Sequence, residues 1–210
     1  MRNNKINIKL LATAVGGAAA LAAYALFIRP WHLKWGATDK ELRLQLPGDE
    51  LVENPRLNAT HAITINAPLK DVWPWLVQIG QKRGGFYSYT WLENLVGCDM
   101  RNADQIVPEW QNLKVGDEVW LHPKAPPLKV LAVEAGCYIV LENSWTFFLR
   151  PIDDHTTRLI IRGRGDFNPD LKSSLLNFIL LRGIFEPAHF IMERKMMLGI
   201  KERAEATLTT

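Results

Sequence analysis

The chain has 210 residues, of which 48% are hydrophobic and 22% charged, which suits one globular domain with a real core plus a short appendage. Its formal charge is +3, and Arg2, Lys5 and Lys9 in the first nine residues account for all of it. The body from Leu10 onward is neutral, with no clustered basic face, so nucleic-acid partners are excluded.

Residues 1–9 form a basic flank. Leu10 to Ile28, LLATAVGGAAALAAYALFI, follows as 19 consecutive uncharged residues, which at ~1.5 Å per residue matches the hydrocarbon core of a bilayer. It is expected to be a single transmembrane anchor. A cleaved signal peptide is the alternative, with Ala23-Tyr24-Ala25 as a small-x-small cleavage site. Arg2, Lys5 and Lys9 on one side face Arg29, Lys34, Lys40 and Arg43 on the other. These near-equal counts do not set the orientation, and the expectation adopted is an inside N-terminus with the domain outside the cytoplasm. There Cys98 and Cys137 could pair or remain free buried thiols.

Residues 29–58, with Pro30, Pro47, Gly48 and Pro55, read as a linker and arm packed on the domain. Ile63 and Ile65 alternate with polar neighbours as a strand, and Pro68 starts a helix with the apolar stripe Val72, Trp73, Leu76 and Ile79, ended near Gly80. The loop Gln81 to Gly85 lacks the spacing of a phosphate-binding P-loop and is expected to be a turn with φ > 0 beside a solvated basic pair. It leads into Phe86, Tyr87, Tyr89 and Trp91. Tyr89 to Val96 reads as a short helix and Asn102 to Gly116 as an irregular connection. Five strands are then predicted at 118–122, 128–133, 137–142, 144–151 and 158–164, an antiparallel meander separated by turn signals. Leu175 to Phe185 is a very apolar helix that Gly183 ends, and Pro187 opens a long C-terminal helix through Thr207. Phe190, Met192, Met196, Met197, Ile200 and Ala204 form its apolar face, which Glu186, His189 and Glu193 interrupt.

The motifs WGAT (Trp35 to Thr38), LPGDEL (Leu46 to Leu51), APxxVWPWLVQxG (Ala67 to Gly80), GGFYSY (Gly84 to Tyr89), WLENL (Trp91 to Leu95) and the final helix from Glu186 to Glu205 together resemble the SRPBCC superfamily. This is the group of START-like and polyketide-cyclase-like helix-grip domains, here in a bacterial branch with an N-terminal membrane segment. The resemblance implies an α+β fold over residues 59–207: a curved antiparallel sheet wrapped around a long C-terminal helix, preceded by one transmembrane helix. The superfamily includes lipid carriers, hydrophobic-ligand receptors and cyclases, so the resemblance transfers fold far more securely than activity.

Candidate site residues follow from side-chain alternation. On the last strand Arg158, Ile160, Arg162 and Arg164 share one face, and a hairpin turning at Asp153 to Thr156 sets Phe147 opposite Arg162 and Trp145 opposite Arg164. This wall would face Glu186, His189 and Glu193 across an apolar cavity. The resemblance implies that the region of Tyr87, Tyr89 and Trp91 flanks its mouth. The expected partner is a lipophilic small molecule or lipid, carried or sensed without covalent chemistry, a cofactor or a metal. A buried ion pair between Glu193 and Arg162 or Arg164 that serves structure alone is the plainer reading of the same residues. In an enzymatic alternative of the cyclase or dehydratase type, His189 and Glu193 would shuttle protons beside Arg162 or Arg164. A third possibility is a structural membrane domain with a filled core. Beside a bilayer, the apolar surface of Leu175 to Phe185 would be an entrance for the ligand.

Overall fold

The structure, a computed structural model, describes residues 8–166 and 180–207. Helix α1 (Ile8–Ala23) runs through a π-helical turn, Tyr24–Ile28, into the short helix α2 (Arg29–His32). The π turn precedes Pro30, whose missing N–H and bulky ring disrupt the regular helical bond to Leu26. The expected transmembrane helix over 10–28 is not supported as such: among the described residues no helix is long and apolar enough to cross a membrane, α1 having 16 residues before the turn. All of the α1 side chains that are described are exposed.

After helix α3 (Asp39–Arg43) come strand β1 (Leu57–Ile65), helix α4 (Leu69–Val77) and helix α5 (Thr90–Leu95). Strands β2 (Glu118–Val119), β3 (Leu128–Glu134), β4 (Tyr138–Leu141), β5 (Trp145–Asp153) and β6 (Thr156–Gly165) follow, and helix α6 (Glu186–Ala206) closes the domain. One antiparallel sheet has the order β1-β6-β5-β4-β3-β2. The α+β architecture with a sheet gripping a long C-terminal helix is therefore present. The core lies between the inner face of the sheet, which supplies Ile65, Ile139, Phe147, Leu159 and Ile161, and helices α4 and α6, which supply Val72, Leu76, Met197 and Ile200.

Two expectations near the C-terminus change. Residues 175–179 of the apolar segment lie outside the described residues. Gly183 does not end a helix: it sits in a π turn, Leu181–Phe185, that leads straight into α6 through the helical backbone of Phe185. Pro187 explains the turn as Pro30 explains the first one, since its absent N–H leaves the Gly183 carbonyl without its regular partner.

The β5–β6 hairpin corrects the face assignment. Asp153 pairs with Thr156 as expected, but a bulge at Ile152 shifts the register so that Phe147 lies opposite Ile161 and Trp145 opposite Gly163. Trp145 and Phe147 thus share the inner face with Ile161, while Arg158, Arg162 and Arg164 point to the outer face. There they fasten the arm that the WGAT and LPGDEL motifs make. Arg158 clamps Glu41 at 2.8 and 2.9 Å, and this guanidinium, with Thr38 of the α3 capping box, holds the Glu41 carboxyl at about 2 despite its burial. Arg162 donates to Asp49 and to the carbonyls of Leu44 and Glu41, each at 2.7 Å. The arm also covers the free edge of β1, whose Thr60 and Ala62 amides donate to the carbonyls of Leu33 and Trp35 at 2.8 and 3.1 Å.

The GGFYSY loop packs against α6 at closest approach. Gly85 and Tyr87 both have positive φ, 74° and 55°, and Asn102 accepts from the Tyr87 amide at 2.8 Å and donates to the Ser88 carbonyl at 3.1 Å. The basic pair beside it is not free: Lys82 lies 3.6 Å over the Trp120 ring, and Arg83 donates to the Trp110 carbonyl. Gly199 of α6 touches this loop so closely that a Cβ there would overlap the carbonyl oxygen and Cβ of Tyr87. Gly-to-Ala exchange inside a helix ordinarily stabilises by about 1 kcal/mol. Gly199→Ala is expected instead to destabilise by about 1–3 kcal/mol through overpacking. A urea midpoint equal to or above that of the wild type would refute this.

Candidate functional site

A cavity of about 360 Å³ opens between the sheet and α6. Its floor is the inner face of β1, through Leu57, Ala59 and His61, with Trp145 of β5 and Leu128 of β3. Phe190, Met192, Glu193 and Met196 of α6 form one wall, and Phe86, Glu93, Cys98 and Met100 form the other. The side chain at position 163 is only a hydrogen, and this leaves room beneath Trp145, its strand partner. Phe185, Glu186 and His32 stand at the end where the π turn meets α2.

Within this apolar lining sits a closed polar network. His61 Nδ1 contacts Glu193 Oε1, His61 Nε2 contacts the His32 carbonyl oxygen at 2.7 Å, and Trp145 Nε1–H donates to Glu193 Oε2 at 2.9 Å. A carbonyl oxygen only accepts, so the proton on Nε2 is required, and a carboxylate facing Nδ1 calls for a second. Burial alone would lower the His61 pKa, but the charge and hydrogen bond of Glu193 and the His32 carbonyl outweigh it, and the pKa is raised. For Glu193 burial pushes upward, and His61, His189 and the Trp145 N–H together carry it below the ordinary carboxylate value. The pair is therefore an imidazolium and a carboxylate, with both side chains almost completely enclosed.

Glu93 is the contrast. It projects from α5 into the cavity, and its buried Oε2 has no hydrogen-bond partner among the described residues. Burial raises its pKa to about 7. An acid raised in the folded state binds more protons folded than unfolded between about 4.5 and about 7, so it costs stability as pH rises through that window. Glu93→Gln is expected to remove this loss. The variant should exceed the wild type by about 1–3 kcal/mol at pH 8 and match it at pH 4.5. Chemical denaturation at both values checks the claim, and a pH-independent difference would count against it.

The structure separates the expected site residues into two groups. Trp145, Glu186, His189 and Glu193 line the cavity, and Arg164 borders it while holding Asp49 on the outer side. Arg162 does not reach the cavity because its strand parity aims it outward, and so the anticipated ion pair of Glu193 with Arg162 or Arg164 is replaced by the pair with His61. Tyr87 and Phe147 are core side chains, the Tyr87 hydroxyl donating to the Trp75 carbonyl at 3.1 Å. Tyr89 is half-buried and Trp91 exposed, and neither lines the cavity. Glu186 is gripped by Arg29 at 2.8 and 3.1 Å. The proposed acid–base pair of His189 and Glu193 is not formed, since both Glu193 oxygens are engaged elsewhere and His189 lies against the rings of Trp145 and Phe185. Cys98 and Cys137 are separate free thiols.

His61 and Glu93 are the residues that sequence reasoning missed. The signal for His61 was available: it stands two residues before Ile63 on the inward-facing alternation of β1. Nothing comparable marked Glu93, since a glutamate in a short helix ordinarily faces water.

No known family model matches the chain, and no curated protein matches it. Among solved structures it is similar to a protein from Arthrobacter aurescens at 14% identity and a TM-score of 0.39, over 71% of this chain and 87% of that one. It is similar to protein MLL2253 from Mesorhizobium loti at 17% identity and a TM-score of 0.34, over 70% and 98%. It is also similar to the Polyketide_cyc-like protein Cgl2372 from Corynebacterium glutamicum at 18% identity and a TM-score of 0.31, over 71% and 87%.

Proposed function

We propose that this protein is a membrane-associated helix-grip binding protein of the SRPBCC kind, which holds a hydrophobic or amphipathic small molecule between its sheet and its C-terminal helix. The carrying observation is the cavity itself. At about 360 Å³ with a mostly apolar lining and a few polar groups, it has the size and makeup of a small-molecule site. Its main ion pair is saturated by protein partners, which suits holding a ligand better than moving protons.

Membrane association rests on exposed apolar surface. Leu26, Phe27, Ile28 and Trp31 are exposed on the N-terminal segment, and Leu180, Ile184 and Phe185 are exposed before α6. Bonds from Tyr24 to the Arg182 carbonyl, at 2.7 Å, and from Arg29 to Glu186 hold the two segments side by side at the cavity mouth. A helical segment without charge from Leu10 to Ile28 and with exposed apolar side chains finds its favourable solvent in lipid, and a mouth beside it admits a ligand from the same phase.

The test is to express the full chain, separate membranes with an alkaline wash, and examine the detergent-released protein by native mass spectrometry. Retention in the membrane fraction and a stoichiometric lipophilic adduct, lost in Ala59→Phe, which fills the cavity, are expected. Release by the wash would refute membrane association, and an adduct that persists in the filled variant would refute this cavity as the site.

A further inference from the structure

Four carboxyl groups line the cavity, Glu93, Glu142, Glu186 and Glu193, against one arginine and three histidines. Three of the four are already answered. Arg29 holds Glu186, His61 and Trp145 hold Glu193, and Glu142 accepts from the Lys129 amide at 3.0 Å. Glu93 is only 9% exposed, and its Oε2 is buried with no partner among the described residues. On the basic side, His61 is spent on Glu193, and Arg164 is tied to the Asp49 carboxylate at 3.4 Å and to its carbonyl, while Arg164 Nε and His32 Nδ1 are buried without a partner among the described residues and His189 lies against the rings of Trp145 and Phe185. Among the four carboxyl groups, Glu93 alone presents a buried oxygen that no described residue answers.

This balance selects among amphiphiles. A carboxylate-bearing ligand such as a fatty acid would bring a second negative charge into the space that Glu93 faces. A neutral alcohol would give Glu93 one hydrogen bond. A protonated amine would supply the missing counter-charge as well as the donor, and a charge-assisted hydrogen bond is roughly twice as strong as a neutral one. The same lining offers the rings of Phe86 and Trp145, near-parallel with centroids 6.1 Å apart, as aromatic surface for an ammonium group or its first methylenes.

We propose that the cavity takes a lipophilic amine, a protonated nitrogen on an apolar body, with Glu93 as its counter-ion; this rests on the binding reading above. Glu93 is then a specificity-determining residue. The His61 and Glu193 pair stays closed and contributes a rigid, charge-neutral floor to the apolar part of the ligand.

Three probes of one chain length separate the possibilities: octylamine, octanol and octanoate, titrated by native mass spectrometry against the full chain and against Glu93→Gln. Octylamine is expected to bind about tenfold or more tighter than octanol to the wild type, with octanoate weakest. In Glu93→Gln the amine should fall to the level of octanol, while octanol itself changes little. Equal binding of amine and alcohol to the wild type, tightest binding of octanoate, or an amine preference that survives in Glu93→Gln would overturn the amine assignment while leaving the cavity a binding site. No binding of any probe to the folded wild type would sink the binding reading and this inference with it. The wild-type comparison of the three probes is decisive even if the variant fails to fold.

Discussion

Glu193→Leu is expected to lower stability by about 3–5 kcal/mol, because it leaves the His61 imidazole enclosed without its counter-charge. For a chain of this size that corresponds to a fall of about 6–20 °C in Tm. The double variant His61→Phe/Glu193→Leu should recover much of the loss, since replacing both members of a buried pair removes the stranded charge, although the Trp145 N–H and the His32 carbonyl still lose their partners. Additive single and double effects would show that the two residues are not coupled. The pH dependence has a defined sign. His61 is raised, so its contribution is complete below the ordinary histidine value of 6.5 and is lost as pH climbs through the folded value. Glu193 is lowered, so its contribution is complete above 4.5 and is lost as pH falls through the folded value. The gap in Tm between the wild type and Glu193→Gln should thus be widest between about pH 4.5 and 6.5 and narrow beyond it on either side.

Arg162→Met is expected to cost a similar amount, about 3–5 kcal/mol, by a different route. It leaves Asp49 with only the longer contact to Arg164 and the Leu46 amide, and withdraws the donors that satisfy the carbonyls of Leu44 and Glu41, so that the arm over the outer face loses its central fastening. The small outer cluster of Leu46, Ala62 and Ile160, which the arm covers, would then meet water. Amide hydrogen exchange should rise in residues 41–51 before it rises in the sheet, because the arm loses its bonds to Arg162 while the strands keep their ladder. Uniform exchange across the domain, or a stability within 1 kcal/mol of the wild type, would contradict this account.

The division of labour between Arg162 and His61 shows where sequence reasoning succeeds. Alternation on β6 correctly groups Arg158, Arg162 and Arg164 on one face, because a strand's side chains alternate whatever it packs against. Which face that is depends on register, and one extra residue at Ile152 decides it. The bulge leaves the turn pairing of Asp153 and Thr156 intact and reverses every cross-strand partner beyond it, so an inference that runs from the turn arrives at the wrong neighbours. The register also gives WGAT and LPGDEL a structural role. They are the complement of the outward arginines, an arm carrying Glu41 and Asp49 to receive them.

By itself the sequence determined the periodic features: six strands, the helix after Pro68, the long helix from Glu186, and the row of Glu186, His189 and Glu193 on one side of that helix. Each follows from local rules of alternation, capping and the 3.6-residue repeat, which need no knowledge of distant neighbours. Only the tertiary structure decided what those residues meet. It joined Glu193 to His61 across 132 positions of chain, turned Arg162 away from the cavity, and left Glu93 Oε2 buried without a partner among the described residues. Pairing and desolvation are properties of the space between elements, and that space is set by register, bulges and close approaches such as Gly199 on Tyr87, none of which a local pattern encodes.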